Sequence, residues 1–451
     1  MTVYLFVLMG SVLFVLIARM FGDEIFMYSL FPIFAFLLWT INDFKLSLII
    51  IIITLYLNFN YSYYSSAILF SLPLGLSFLV RYSDITLKDF KNPLNIPMCI
   101  YGACILPSFL YMLDPRPSLF MLSHIVAFII VLYSIVGGVR TYRQVSVLTI
   151  VYIILTLLNS LDVIRLSIFG VKRPFGFAGL WFVDYSALGV CLAMAIAIVK
   201  RGSTRWFFLS IALFVLIALL LTQTRNTWFS ALITLLILVG CLIVYPEMIE
   251  VSRAKIVKMA IICGMAFVGI VLLIAIIFPR VSERVDNLKD KAGYNIDASG
   301  NTENSLVSRL LIWSTAFNAF KAHPIVGIGV YAFQFSSRTY STLPKILYKR
   351  FVEKRHPHQT FIAVLAETGL LGFSGFLVFY ITALRCAFLS LKSAVDTQGK
   401  NYAFVAAIGV SYCSVSMFFT DAWLWGQQLV LLGIIYGLML TIRKINIALI
   451  A

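Results

Sequence analysis

The sequence predicts an all-α polytopic membrane protein of about 12 to 14 transmembrane helices, with one long extracytoplasmic loop containing an amphipathic helix. Three observations carry this expectation. Of the 451 residues, 61% are apolar and 12% charged, against about a quarter charged in a soluble domain. The apolar residues fall into runs joined by short connections, and the mean hydropathy is +0.98. One stretch, Pro279 to His358, breaks that pattern with a long polar, basic segment.

The apolar runs lie at 3–19, 25–40, 44–57, 65–80, 95–112, 119–137, 145–160, 180–199, 206–222, 227–245, 257–278, 360–389, 402–419 and 428–442. Several early runs are short for a span of about 20 residues, so 12 spans fit as well as 14. Leu48 to Thr54 is rich in β-branched residues, but the alternation of a closed barrel is absent, which leaves helices. The chain thus divides into an N-terminal bundle at 1–278, a loop at 279–358 and C-terminal transmembrane helices at 359–451.

The net charge of +16 would suggest nucleic acid in a soluble protein. Here the short loops account for much of it, and no nucleic-acid partner is implied. Arg81/Lys88/Lys91, Arg140/Arg143, Lys200/Arg201/Arg205, Arg253/Lys255/Lys258, Lys392/Lys400 and Arg443/Lys444 fall on alternate connections, which places those connections and both termini in the cytoplasm. The long loop then lies outside, where its arginines oppose the usual bias and need a reason of their own. The first apolar run lacks a basic n-region and a cleavage site, so it reads as a retained span. The seven cysteines form no CxxC pair and no Cys/His ligand spacing, so neither a disulfide framework nor a zinc site is expected.

Within the loop, Ser305 is a candidate N-cap. Leu306, Leu310, Trp313, Phe317 and Phe320 recur at helical spacing, a stripe expected to rest on the membrane or the bundle. Ala322-His323-Pro324 ends that helix, and Gly327 and Gly329 suggest a turn. Pro357 disfavours helix at His356, so His358 is expected at the N-terminus of the next span.

The candidate functional residues cluster at one face. Arg225 closes the segment Leu221-Thr222-Gln223-Thr224-Arg225 at the end of a span. A charge there fits either a function or an arginine snorkelling to headgroups. Arg284 and Arg309 offer guanidinium groups able to grip a diphosphate bidentately; each alone reads more readily as a solvated loop charge, and only together with Arg225 do they suggest a phosphate cradle. His358, with His356 beside it, is suited to take a proton from an attacking hydroxyl near neutral pH. Asp421 ends another span on the same side and suits orienting a histidine or pairing with an arginine. Glu367, inside a span, is expected to pair with another helix or a cavity. No Asp-x-Asp pair, Walker loop, GxSxG or HExxH is present.

Leu221 to Arg225, Ser308-Arg309-Leu310-Leu311-Ile312-Trp313 with Gly327-x-Gly329, His356-Pro357-His358 running into Ala366-Glu367-Thr368-Gly369-Leu370-Leu371-Gly372, and Asp421 together resemble the bacterial O-antigen ligase and O-antigen polymerase superfamily. The resemblance spans about 220 to 425. It implies a metal-independent, cofactor-free glycosyltransferase of the inner membrane with its site in the periplasmic loop. Its partners would be an undecaprenyl-diphosphate-linked glycan donor, a lipid A-core acceptor and membrane lipids. In that likeness Arg225, Arg284 and Arg309 hold the diphosphate, His358 is the catalytic histidine, and Asp421 and His356 support it. Gln359 stands where the family more often has asparagine. The ligase reading, in lipopolysaccharide biosynthesis and with inversion at the anomeric carbon, is favoured by the LTQTR form. A polymerase joining lipid-linked repeat units is the alternative, and a flippase or polysaccharide exporter is a third class that would line a through-membrane path with charge.

Overall fold

The computed structural model describes residues 43–56, 66–81, 90–111, 115–171, 173–179, 182–244, 305–421 and 426–449, with the single residues 254 and 258. The runs expected at 3–19, 25–40 and 257–278, and Arg284 with the first part of the long loop, lie outside the described residues. The regular elements that are described are all helical. They are α1 (Phe44–Tyr56), α2 (Ser66–Arg81), α3 (Asn95–Ile105), α4 (Pro115–Gly138), α5 (Tyr142–Ile168), α6 (Phe182–Val199) and α7 (Gly202–Leu221). After them come α8 (Arg225–Val244), α9 (Ser305–Ala322), α10 (Phe333–Tyr340), α11 (Lys345–Phe351), α12 (Thr360–Lys392), α13 (Thr397–Ser416) and α14 (Gly426–Ala448).

This is a polytopic membrane protein. Among the described residues six helices, α4, α5, α7, α8, α12 and α14, are long and apolar enough to cross a membrane, and α1, α2, α3 and α6 are shorter apolar helices. Between lipid-like surfaces the hydrophobic effect does little to pair helices, so close packing must do it. Gly433 and Gly437 on α14 supply that closeness against α4. A Cβ at Gly433 would sit 3.0 Å from the Phe128 carbonyl oxygen, and one at Gly437 would sit 2.9 Å from the Ile135 Cβ. α6 is apolar around its circumference and buried around it too, with Tyr185, Leu188, Cys191, Ala193 and Ala197 fully enclosed, so it sits at the centre of the bundle.

A second, smaller core lies outside the main one. Ile312, Ala316 and Ala319 of α9 pack with Ile328, Phe333 of α10, Tyr348 and Phe351 of α11, and Ala366 of α12. The expected apolar stripe lies on a different face of α9 from the one packed in this core. Leu310 and Phe317 are exposed at 41% and 43%, and the buried face is Ile312, Thr315, Ala316 and Ala319. Small residues win that face because two short helices and α12 must approach α9 closely, which the larger side chains would prevent.

α12 is broken at Gly369, whose φ of 63° and ψ of −166° are open only to glycine. The break frees backbone groups, and the chain at 324–329 takes them up. The Leu370 N–H donates to the Pro324 carbonyl (2.8 Å), Leu371 to Ile325 (3.0 Å), Ile328 to Ala366 (3.2 Å) and Gly329 to Glu367 (3.0 Å). Gly327, at φ 72°, makes the expected turn and lies directly on the Glu367 backbone, where no Cβ fits. The ETGLLG stretch is therefore a joint that sets the half-helix 360–368 at an angle to the span 370–392 and ties it to the loop.

Candidate active site

Each candidate side chain is placed by a local device. In the LTQTR stretch, α7 ends at Leu221, the Thr222 hydroxyl donates to the Leu219 carbonyl (2.6 Å), and Gln223 turns the chain at φ 57°. The Thr227 hydroxyl donates to the Thr224 carbonyl (2.9 Å), and α8 begins on Arg225. Arg225 is half-buried at that helix N-terminus. Its neighbour Asn226 reaches across, its Nδ2 donating to the Phe419 carbonyl at 3.2 Å, which anchors α8 to the 417–421 turn that ends in Asp421.

The histidine segment is held from both sides. The Trp313 indole N–H of α9 donates to the Pro357 carbonyl (2.7 Å). Below it, the Thr360 N–H donates to the Met417 carbonyl (3.0 Å), and the Thr360 hydroxyl donates to the Thr420 carbonyl (2.8 Å). His358 stands two residues before the first helical residue of α12, in the left-handed region at φ 55°. Gln359 is the N-cap, its side-chain oxygen accepting the Ile362 N–H at 2.5 Å, so the amide at this position performs a capping task.

The result is a pair. His358 Nδ1 lies 3.3 Å from Asp421 Oδ2, with the histidine side chain 45% exposed and the aspartate 2% exposed. Facing Asp421 through Nδ1 leaves Nε2 at the far end of an accessible ring. His356 turns the opposite way: it is buried, with its ring 5.0 Å from that of Tyr331, and burial pushes its pKa down to about 4. It is a neutral packing residue beneath the pair.

Arg309 joins them. It is half-buried on α9, where burial pushes its guanidinium pKa down while the Asp421 carboxylate pulls it back up. Next to it, the Ser308 hydroxyl oxygen accepts from Arg355 Nη1 at 3.2 Å. The structure thus gathers His358, Asp421 and Arg309, and brings the start of α8 with Arg225 onto the same turn. Arg284 lies outside the described residues.

Glu367, expected to pair with another helix or a cavity, meets the start of α10, whereas Asp184 and Gln428 were not singled out in the sequence. The Glu367 carboxylate accepts the N–H groups of Tyr331 (2.8 Å) and of Phe333 (3.2 Å), the first residue of α10, which binds the loop to the half-helix. Asp184, in the first turn of α6, accepts from Gln428 Nε2 of α14 at 2.5 Å, and its carboxylate repels that of Asp421. Both Asp184 and Gln428 are buried, and Asp184 Oδ1, Gln428 Oε1 and Asp421 Oδ1 have no hydrogen-bond partner among the described residues. The available signal was a lone carboxylate in the apolar run 180–199, a place where ionisable groups default to function.

Chemically, the positive ends of two helices, α8 and the half-helix 360–368, both lie against the 417–421 turn, and α8 starts on Arg225 itself. That arrangement favours a multiply charged anion. Beside it stands a histidine oriented by a buried carboxylate, the arrangement of a general base. Among the described residues no group of three or more His, Cys, Asp or Glu side chains could hold a metal ion.

Residues 210–377 match the family described as O-antigen ligase, Wzy_C. The matched region contains Arg225, Arg309, the histidine pair and the Gly369 joint, and stops short of Asp421. A comparison with curated proteins finds no match to the chain.

Proposed function

We propose that this chain, whose residues 210–377 are of the O-antigen ligase family, is itself an O-antigen ligase, moving a glycan from undecaprenyl diphosphate to a sugar hydroxyl of lipid A-core. The observation that carries the reading is the His358–Asp421 pair set beside Arg309 and the start of α8. In this account Arg225, Arg284 and Arg309 bind the donor diphosphate. The acceptor hydroxyl gives its proton to His358 Nε2 as its oxygen bonds to the anomeric carbon. The bond from that carbon to the diphosphate oxygen breaks with its electron pair, and the configuration inverts. Asp421 holds the ring and steadies the imidazolium that forms. The guanidinium groups and helix N-termini neutralise the departing diphosphate, so the reaction needs neither metal nor cofactor. The site faces the periplasm from the bacterial inner membrane, which accounts for cations on the side that Lys and Arg usually avoid.

The deciding experiment combines purified protein and undecaprenyl-diphosphate glycan with or without lipid A-core, beside His358→Ala. Glycan on lipid A-core from the wild type alone supports the ligase. Longer chains still on undecaprenyl diphosphate, with lipid A-core ignored, would make the protein a polymerase. Folded wild type that forms no glycosidic bond would sink both and leave an exporter.

A further inference from the structure

The basic face of α10 and α11 has no role in the chemistry above. From Phe333 to His358 six cations, Arg338, Lys345, Lys349, Arg350, Lys354 and Arg355, stand against one carboxylate, Glu353. Among the described residues, Lys345, Lys349 and Lys354 are exposed. α11 turns Tyr348 and Phe351 into the small core, which leaves Lys345, Ile346 and Lys349 on its outer side. Arg338 stacks over the Tyr348 ring at 4.9 Å, joining α10 to that surface, and Phe335, on the preceding turn of α10, is 48% exposed. Ile346, between two lysines, is 73% exposed. A bare aliphatic ringed by cations is the pattern of a surface that meets a lipid: acyl chain or headgroup carbon for the isoleucine, anionic groups for the lysines.

Continuity with the site selects the lipid. Past the single carboxylate Glu353, exposed Lys354 and Arg355 carry the basic stretch up to the histidine segment, and Arg355 is bonded to Ser308, the residue before Arg309. A general membrane anchor has no need to end at the reacting histidine. An acceptor lipid does, because its hydroxyl must arrive at His358 with the rest of its headgroup trailing outward. We infer that the α10–α11 face is the docking surface for the acceptor, a glycolipid whose headgroup carries phosphate or carboxylate groups, with Lys345, Lys349 and Lys354 on those anions and Ile346 on its apolar part. The inference rests on the ligase reading for the word acceptor, and on charge complementarity for the surface itself.

The test uses the full-length protein in nanodiscs and the triple variant Lys345→Gln, Lys349→Gln, Lys354→Gln. All three side chains are exposed, so an unchanged melting temperature is the folding control. Binding of phosphorylated glycolipid acceptor is compared with binding of the same lipid after phosphatase treatment and of phosphatidylglycerol, with no donor present. The wild type is expected to bind the phosphorylated acceptor about tenfold more tightly than either comparison lipid or than the variant does, with the advantage shrinking at high salt. In turnover, acceptor KM rises by a similar factor in the variant, while donor KM and kcat stay put. Equal binding to phosphatidylglycerol, or unchanged acceptor affinity in the variant, overturns the inference. Because binding is read without donor, a protein that binds the acceptor as described yet transfers nothing would refute the ligase reading alone.

Discussion

Gly369 lies directly against the Ile325 carbonyl, so close that no Cβ fits between them, and it does so with the φ of 63° that breaks α12. That contact decides the angle at which the half-helix 360–368 presents His358. Gly369→Ala is expected to cost on the order of 3 kcal/mol or more, from the forbidden backbone region and the clash together. Gly102→Ala is the control, since a Cβ there meets nothing within 4 Å. A thermal melt of the two variants checks this, and a Gly369→Ala protein as stable as the control would refute the joint.

The His358–Asp421 contact of 3.3 Å makes a kinetic claim. His358→Ala is expected to lower kcat by roughly 10²- to 10⁴-fold, the usual range for a general base. Asp421→Asn keeps the shape but removes the charge that favours the imidazolium, so kcat should fall by about tenfold or more while donor KM changes little. Steady-state rates on purified variants decide it, and an Asp421→Asn enzyme with wild-type kcat would remove the aspartate from the account.

Arginine and lysine separate two roles at the diphosphate. Arg309→Lys and Arg225→Lys retain charge but lose the bidentate fork, and each is expected to reduce kcat/KM for the donor by about ten- to a hundredfold. EDTA should leave the wild-type rate unchanged, because in this account cationic side chains do the work of a metal. Activity lost on chelation and restored by a divalent ion would contradict it.

His356 gives a pH signature. Its native pKa, about 4, lies below the ordinary value of 6.5, so the unfolded chain takes up the proton more readily than the folded one. The stability this neutral histidine contributes is whole above pH 6.5 and is lost as the pH falls towards 4, about 3 kcal/mol in all. His356→Phe, which can still pack on Tyr331, should show a shallower fall in melting temperature over that window. Parallel curves for the two proteins would assign the loss elsewhere.

Much of the chain could be read in advance for a simple reason. A span needs only apolar length, and a helix end needs only a few residues of the right kind, so the starts of α8 and α12, the end of α9 and the turn at Gly327 were all visible locally. The buried face of α9 was not. Its side-chain pattern offered the stripe Leu310–Phe317, but α10, α11 and α12 chose the face with the small residues. Glu367 was expected to meet another helix or a cavity and does meet the start of α10, but which one was not legible, because its partners are backbone N–H groups, which carry no sequence signal.

From the sequence alone came the all-helical membrane class, the basic loop and the residue types able to grip a diphosphate and move a proton. Chain-distant pairing was left to the tertiary structure: His358 with Asp421, Asp184 with Gln428, Asn226 with the 417–421 turn. The reason is physical. Helix formation and membrane insertion depend on neighbours within a few turns, whereas a functional site depends on which helix ends arrive at one place, and that is set by packing across the whole bundle.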